Sequence, residues 1–116
     1  MTEHLFIYGT LAPGRDNAWV METIDGHWQS ATTKGFLKTL GWGADLGFPG
    51  LTPDPNGEQV SGWLFSSSQL QHHWQRLDEF EGEQYQRVLI NVTLENGKTA
   101  QAFVYSIVET SNKVNG

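Results

Sequence analysis

The stretch Leu5-Phe6-Ile7-Tyr8-Gly9-Thr10-Leu11 is an apolar run that stops abruptly at a glycine. The run predicts a strand from His4 to Tyr8, and Gly9 begins a turn that meets a second break at Pro13-Gly14. Glycine lets a backbone bend sharply and approach a ligand closely, since it has no Cβ. Consecutive backbone N–H groups in such a turn can hold an anion. The stretch therefore predicts a strand and a turn, and an anion site only as a hypothesis.

A second informative segment predicts a helix over residues 67–81, with serines 66–68 as candidate N-caps. Three apolar residues recur there at the spacing of one buried helix face, namely Leu70, Trp74 and Leu77. Glu81 is the next position on that face, and Gly82 ends the helix as a C-cap residue would. Either Glu81 is buried for a purpose, because glutamate is rarely buried without one, or the last turn frays and Glu81 is solvated.

The other charged residues near this helix have simpler expected roles. Three acids lie off the apolar face and are predicted to be ordinary surface charges, namely Asp78, Glu79 and Glu83. Arg15 and Arg87 are candidate anion contacts. Because Arg87 falls in a predicted strand beside the helix end, a structural pairing with nearby acids is the favoured interpretation for it.

The rest of the pattern predicts further strands and one short helix. Strands are expected at residues 30–40, 58–65, 85–94 and 98–107, with the last two joined by a hairpin at Asn96-Gly97. Asp16 is placed to cap a short helix over residues 17–24. Residues 41–57 hold five glycines and three prolines and are predicted to be mostly loop. Several strands and two helices in no strict alternation indicate an α+β fold.

Length and composition favour one compact domain. The chain has 116 residues, and we expect a single domain over 1–116 with a core at about 4–107 and a polar tail at 108–116. Its net charge of −6 argues against nucleic-acid and anionic-membrane partners, which need a basic face. The composition leaves the oligomeric state open.

The location and the chemistry open to the chain are also limited by composition. No apolar run approaches the ~20 residues that span a bilayer, and the start Met1-Thr2-Glu3-His4 shows no secretory signal, so a cytoplasmic location is expected. The absence of cysteine removes disulfides and thiol catalysis. His72 and His73 are adjacent and face different directions, while His4 and His27 lack ligand-like spacing, so no metal site is expected.

Three segments together resemble the γ-glutamyl cyclotransferase-like family of small α+β domains, in particular its single-domain bacterial-type or γ-glutamylamine cyclotransferase-like members. The segments are Tyr8-Gly9-Thr10-Leu11 with Pro13-Gly14, Phe48-Pro49-Gly50-Leu51, and Leu77-Asp78-Glu79-Phe80-Glu81-Gly82 with Tyr85 and Arg87. Their order and spacing agree over about residues 4–107. Ala12 departs from the pattern, since relatives often have a basic residue there. The resemblance implies a small, mixed, partly closed barrel-like sheet with a few flanking helices.

The resemblance also implies an activity of acyltransferase or lyase type that needs no cofactor. In relatives the α-amine of a γ-glutamyl compound attacks its own γ-carbonyl, which releases 5-oxoproline and a free amine. Glu81 then corresponds to the general acid/base, and Tyr8, Gly9, Thr10 and Leu11 to the substrate-binding loop. The released amine stays open among an amino acid, a lysine side chain, a polyamine and a biosynthetic intermediate. Ala12 and residues 41–50 are where we expect that choice to be made.

Two other classes of function remain possible from the sequence. A non-catalytic binding module would keep the same pocket and the same glutamate, and a structural or partner-binding domain would need neither. The acid/base role makes a physical demand on Glu81. An exposed glutamate, with a pKa of about 4.3, is a poor base toward an ammonium group with a pKa of about 8. Burial beside the apolar helix face is expected to raise the pKa of Glu81 toward the useful range.

Overall fold

The computed structural model describes residues 2–9, 11–15, 18–39, 49–83 and 85–107. Six strands are present in this part of the chain: β1 (Glu3–Ile7), β2 (His27–Thr39), β3 (Pro49–Pro53), β4 (Glu58–Ser67), β5 (Tyr85–Leu94) and β6 (Thr99–Ile107). The helical segments are α1 (Trp19–Glu22), a 3₁₀ turn (Leu70–His72) and α2 (Trp74–Glu81). Within the described ranges, no helix combines the length and the apolarity that a membrane crossing requires.

The strands form one mixed sheet that curls into a partly closed barrel. A ring of five strands runs β1–β4–β2–β5–β6 and returns to β1, with only the β6–β1 pairing parallel. Two of the strand pairings in this ring are short. β2 pairs with β5 only at Ala31 and Thr32, and β6 pairs with β1 only at Leu5↔Phe103. β3 lies between β2 and β6 beyond these short pairings. The predicted α+β class and partly closed barrel are confirmed.

Two apolar layers follow from the alternation of side chains along the strands. The barrel interior is filled by Phe6, Ala31, Leu51, Val60, Leu64, Val92, Ala102 and Val104. The outer layer, between barrel and helices, includes Leu5, Ile7, Leu11, Val20, Met21, Phe65, Leu70 and Leu77. Because successive side chains of a strand point to opposite faces, β1 contributes Phe6 to one layer and its neighbours to the other. The first strand thus joins both cores.

The predicted hairpin between β5 and β6 is confirmed, with β5 spanning the expected residues 85–94. The Leu94 N–H donates to the Lys98 carbonyl over 2.8 Å, which encloses a three-residue loop. Gly97 adopts φ +86° there, a left-handed conformation that glycine tolerates best. The Asn96 side chain accepts the Lys98 N–H at 2.9 Å and so stabilises the turn.

The predicted helix over residues 67–81 is correct only in its second half. Ser67 still belongs to β4, where its hydroxyl donates to the Asp25 carbonyl and accepts the Gln69 N–H at 2.9 Å. The chain then forms the 3₁₀ turn before α2 begins at Trp74. The serine therefore caps a turn that leaves the sheet, because its tertiary bond to Asp25 holds it in the strand.

Other predicted boundaries need correction where tertiary pairing extends or creates a strand. The expected loop at residues 41–57 contains β3, a proline-flanked strand held by β2 and β6. β4 runs two residues beyond the predicted 58–65, and β2 starts at His27 because it pairs with β4 as far as Ser66. The helix predicted at residues 17–24 is shorter, with Ala18 at its N-cap. Asp16, Asn17 and residues 40–48 and 108–116 lie outside the described residues.

The attachment of α2 to the outer core is testable through Leu77, whose side chain is fully buried. Leu77→Ala is expected to lower the free energy of unfolding by about 2–5 kcal/mol, because it removes buried methyl groups and leaves a cavity. Chemical denaturation measures the loss. Gln75→Ala, on the exposed side of the same helix, should change stability by no more than about 0.5 kcal/mol. Equal effects of the two substitutions would contradict this packing.

Candidate active site

Glu81 is the last residue of α2, and its side chain is half-buried. The helix end is fixed by Gly82, which adopts φ +88° and donates its N–H to the Asp78 carbonyl at 3.0 Å. On the predicted apolar face, Leu70 and Leu77 are fully buried. Of the two interpretations left open by the sequence, the structure favours the inward-facing glutamate over the frayed and solvated one.

The electrostatic surroundings of Glu81 agree with that placement. Burial raises the pKa of Glu81 from its ordinary value of 4.5 to about 7. Three tyrosines lie within its electrostatic reach: Tyr8 just after β1, Tyr85 at the start of β5 and Tyr105 in β6. Burial is the main cause of their raised pKa values, and the Glu81 carboxylate raises each of them further. The glutamate and the first loop therefore lie at the same end of the barrel.

The hydroxyl of Tyr8 is fully engaged with the protein. It donates to the Tyr105 carbonyl at 2.7 Å and accepts the Leu51 N–H at 3.0 Å. Its ring packs against the barrel interior, where it stacks with Phe6 at a centroid distance of 6.4 Å. The family resemblance assigns Tyr8 to the substrate-binding loop. The geometry gives its side chain a second task, which is to join three strands beside the loop.

The loop after β1 is turned by a hydrogen bond from the Ala12 N–H to the Gly9 carbonyl, 3.1 Å long. Leu11 and Ala12 point their side chains into the outer core, with 4% and 6% exposure. Because its side chain is buried, Leu11 can contact a ligand only through its backbone. The hypothesis of an anion site requires only the backbone N–H of this residue. Ala12 likewise presents no exposed side chain. Thr10, the remaining predicted binding residue, lies outside the described residues.

Asp78 was predicted to be an ordinary surface charge; it lies at the surface, with 43% of its side chain exposed, but it is paired and so has a structural role. Its Oδ1 accepts the Tyr105 hydroxyl at 2.6 Å and the Arg87 Nε at 3.0 Å, and its Oδ2 accepts Nη2 of Arg87 at 3.3 Å. Desolvation acts to raise the pKa of Asp78, but the hydrogen bonds from Arg87 and Tyr105 outweigh it and lower the pKa. Glu79 and Glu83 are exposed, as predicted. The structural pairing predicted for Arg87 is confirmed.

Two aromatic rings pack against the arginine of this ion pair. The Arg87 guanidinium lies 4.3 Å from the centroid of the Trp74 ring and 5.1 Å from that of Phe103. Trp74 in turn donates its indole N–H to the Glu3 carboxylate at 2.7 Å. Tyr105 was absent from the predicted site. Its position in the second strand of the predicted hairpin gave no sign that its hydroxyl would reach the helix.

Two other features of the described residues do not join this site. An open cleft of about 380 Å³ lies over β2, β4 and β5 and contains none of the predicted site residues. It is lined by the residues Ser30, Ala31, Thr32, Ser61, Gly62, Trp63, Thr93, Leu94 and Glu95. Among the residues that the structure describes, no group of three or more histidine, aspartate or glutamate side chains could hold a metal ion.

Comparison with known proteins identifies the family. The model of the family "Gamma-glutamyl cyclotransferase, AIG2-like" matches residues 5–115, so the chain belongs to this family. Curated proteins give no significant match.

Solved structures share the fold. An AIG2-like protein of mouse is 26% identical, with a TM-score of 0.74 over 97% of this chain and 81% of its own. YkqA of Bacillus subtilis is 25% identical, with a TM-score of 0.70 over 92% of this chain and 36% of its own. A protein described as a gamma-glutamyl cyclotransferase has a TM-score of 0.70 at 16% identity, over 93% of this chain and 68% of its own, and it supports the fold alone. The expected resemblance is confirmed at the level of family and fold.

The raised pKa of Glu81 has a consequence for stability that can be measured. A carboxyl whose pKa is higher in the folded protein binds its proton more tightly there, so stability is lost as the pH rises from about 4.5 through about 7. Glu81→Gln removes this penalty and is expected to raise the free energy of unfolding at pH 8 by about 1–3 kcal/mol. Denaturation at pH 4 and pH 8 measures it. A gain of the same size at both pH values would show that the carboxyl is not perturbed.

Proposed function

We propose that this protein is a γ-glutamyl cyclotransferase that releases 5-oxoproline and a free amine from γ-glutamyl compounds. Family membership supports this class of activity. The observation that carries the proposal is the half-buried carboxyl of Glu81, whose pKa of about 7 suits proton transfer near neutral pH. The electrostatic interaction of Glu81 with Tyr8, which directly precedes Gly9, supports the second requirement, a binding surface near the acid/base.

In the proposed reaction the nucleophile and the electrophile belong to the same molecule. The α-amine attacks the γ-carbonyl carbon, and the bond between that carbon and the departing nitrogen breaks as the five-membered ring closes. Because the two groups are already tethered, the protein need only fold the glutamyl arm into attack geometry. This is why a small site with one carboxyl group is chemically sufficient.

Glu81 carries out the proton transfers in this scheme. Its carboxylate accepts a proton from the substrate ammonium, and the resulting carboxylic acid donates that proton to the departing nitrogen. The attacking nitrogen gives up its second proton to water as the lactam forms, and the released amine takes up a proton from water to become an ammonium, so no net proton is consumed. A pKa of about 7 lies close to the ~8 of an α-ammonium group, so neither transfer is strongly uphill. The absence of a basic partner among the described neighbours of Glu81 keeps the pKa high, since burial is its only resolved cause.

The loop after β1 is the proposed holder of the substrate carboxylate or of the developing oxyanion. The Leu11 side chain is anchored in the outer core and the Gly9 carbonyl accepts the Ala12 N–H, so Gly9 and Leu11 are held in place beside the barrel. Backbone N–H groups in a turn stabilise an anion without a counter-charge. The α-amine and the α-carboxylate share one carbon, so holding the carboxylate at this loop directs the amine toward Glu81.

Glu81→Gln is expected to reduce turnover by roughly 10²–10⁴-fold, because the amide keeps the shape but cannot accept a proton. The assay is formation of 5-oxoproline, followed by mass spectrometry over a panel of γ-glutamyl amino acids, γ-glutamyl-ε-lysine and γ-glutamyl polyamines. The panel also shows which amine is released. Glu79→Gln is the matched control, since Glu79 is exposed on the same helix.

The outcome distinguishes the enzyme from its alternatives. Parent-like turnover by Glu81→Gln would rule out the assigned acid/base role. Binding of γ-glutamyl compounds by the parent protein without any 5-oxoproline would instead identify a binding module that uses the same pocket.

The rate of the parent enzyme is expected to depend on the protonation of Glu81. Only the carboxylate accepts a proton, so kcat/KM should rise with pH through a midpoint near 7, and it should fall again as the substrate α-ammonium, with a pKa of about 8, loses the proton that Glu81 passes on. Initial rates between pH 5 and pH 9 measure both limbs. A midpoint near the ordinary value of 4.5 would mean that Glu81 is not held in its buried position during catalysis.

A further inference from the structure

The side-chain hydroxyl and the backbone carbonyl of Tyr105 form hydrogen bonds to two different parts of the proposed site. Its hydroxyl donates to Oδ1 of Asp78 on α2 at 2.6 Å, and its carbonyl accepts the Tyr8 hydroxyl at 2.7 Å. Asp78 precedes Glu81 by one helical turn, and Tyr8 directly precedes Gly9. Tyr105 therefore connects the helix that carries the acid/base with the loop that holds the substrate.

We propose that Tyr105 is a positioning residue that sets the separation between the Glu81 carboxyl and the backbone of the first loop. This inference rests on the proposed function and assigns that site a member that its sequence motifs do not include. Tyr105 acts through Asp78 and Tyr8, since its hydroxyl proton is given to a carboxylate of the protein and its side chain is buried, with 6% exposure for the residue.

Both ends of this connection are fixed by further bonds. At the helix end, Asp78 also accepts two hydrogen bonds from Arg87, whose guanidinium lies against the ring of Trp74. At the loop end, the Tyr8 hydroxyl accepts the Leu51 N–H of β3 at 3.0 Å. A hydrogen bond to a charged group is stronger than one between neutral groups. The connection from helix to loop is thus a continuous set of short, oriented bonds.

Distance is the property of the site that this connection controls. Proton transfer requires Glu81 to lie within hydrogen-bond reach of the substrate amine, directly or through one water. A misplacement of about 1 Å can cost about 10²-fold in rate. The loop and α2 belong to different parts of the chain. A connection between them therefore keeps the Glu81 carboxyl at a fixed distance from the loop backbone that is proposed to hold the substrate carboxylate.

Tyr105→Phe tests the proposal, because it removes the hydroxyl and keeps both the ring and the carbonyl. The expected result is a fall in kcat of roughly 10- to 100-fold, with KM changed by less than about threefold. Thr33→Val is the matched control. It also removes a buried hydroxyl, which donates to the Asn91 carbonyl at 2.9 Å between β2 and β5, outside the site. Its kcat should stay within about twofold of the parent at a temperature where both variants are folded.

Asp78→Ala breaks the same connection from the helix side, because it removes the acceptor of the Tyr105 hydroxyl, and serves if Tyr105→Phe does not fold. In the double variant the loss should not exceed that of the more damaging single substitution, because both interrupt one connection. Losses that multiply would mean that Asp78 and Tyr105 act independently, which contradicts the proposal.

A titration of the Glu81 carboxyl separates this proposal from the proposed function, because it needs no turnover. Followed by carbon-13 NMR in the parent, the carboxyl should titrate near 7, with Tyr8, Tyr85 and Tyr105 facing it. In Tyr105→Phe the midpoint should fall toward the ordinary range as the carboxyl gains water, and in Thr33→Val it should not move. A parent that forms no 5-oxoproline refutes the proposed function, and the titration still decides the role of Tyr105. An unchanged midpoint in Tyr105→Phe overturns the proposal.

Discussion

The hydroxyl of Tyr8 holds together the end of the barrel on which the site depends. By donating to the Tyr105 carbonyl and accepting the Leu51 N–H, it links the end of β1 to β6 and β3. The pairing of β6 with β1 and with β3 is otherwise short, at Phe103 and Ser106 respectively. A buried hydroxyl that satisfies a backbone donor and a backbone acceptor costs little and removes two unpaired groups. The turn that begins at Gly9 therefore starts from a fixed point.

The first strand and the carboxy-terminal block of this structure could largely be predicted from the sequence. Apolar alternation gave β5, Asn96-Gly97 gave its hairpin, and the spacing of three apolar residues placed Glu81 on the inner face of a helix that Gly82 ends. These features are local: each depends on residues a few positions apart. The gain in the free energy of unfolding expected for Glu81→Gln at pH 8 follows from the same local pattern, because burial of the apolar helix face also desolvates the Glu81 carboxyl.

The features that the sequence did not predict depend on contacts between distant residues. β3 has weak strand propensity, with proline at both ends, and exists because β2 and β6 supply its partners. The bond from Tyr105 to Asp78 spans 27 positions and that from Tyr8 to Tyr105 spans 97. Periodicity within a window of one helix or strand carries no information on such pairs. Only the family resemblance, which implies the fold, predicted that the first loop and Glu81 would lie at the same end of the barrel.

Asp78 and Glu81 show how one short helix supports two different tasks with the same chemical group. They lie three residues apart, yet the pKa of Asp78 is lowered and that of Glu81 is raised to about 7. Asp78 receives the guanidinium of Arg87 and a phenol, so it remains an anion and fixes the helix. Burial raises the pKa of Glu81 instead, so this carboxyl can exchange a proton near neutral pH. Carboxyl groups whose surroundings separate their pKa values in this way are typical of acid/base sites. Because the Arg87 guanidinium is bonded to Asp78, Glu81 keeps the raised pKa that the proposed acid/base role requires.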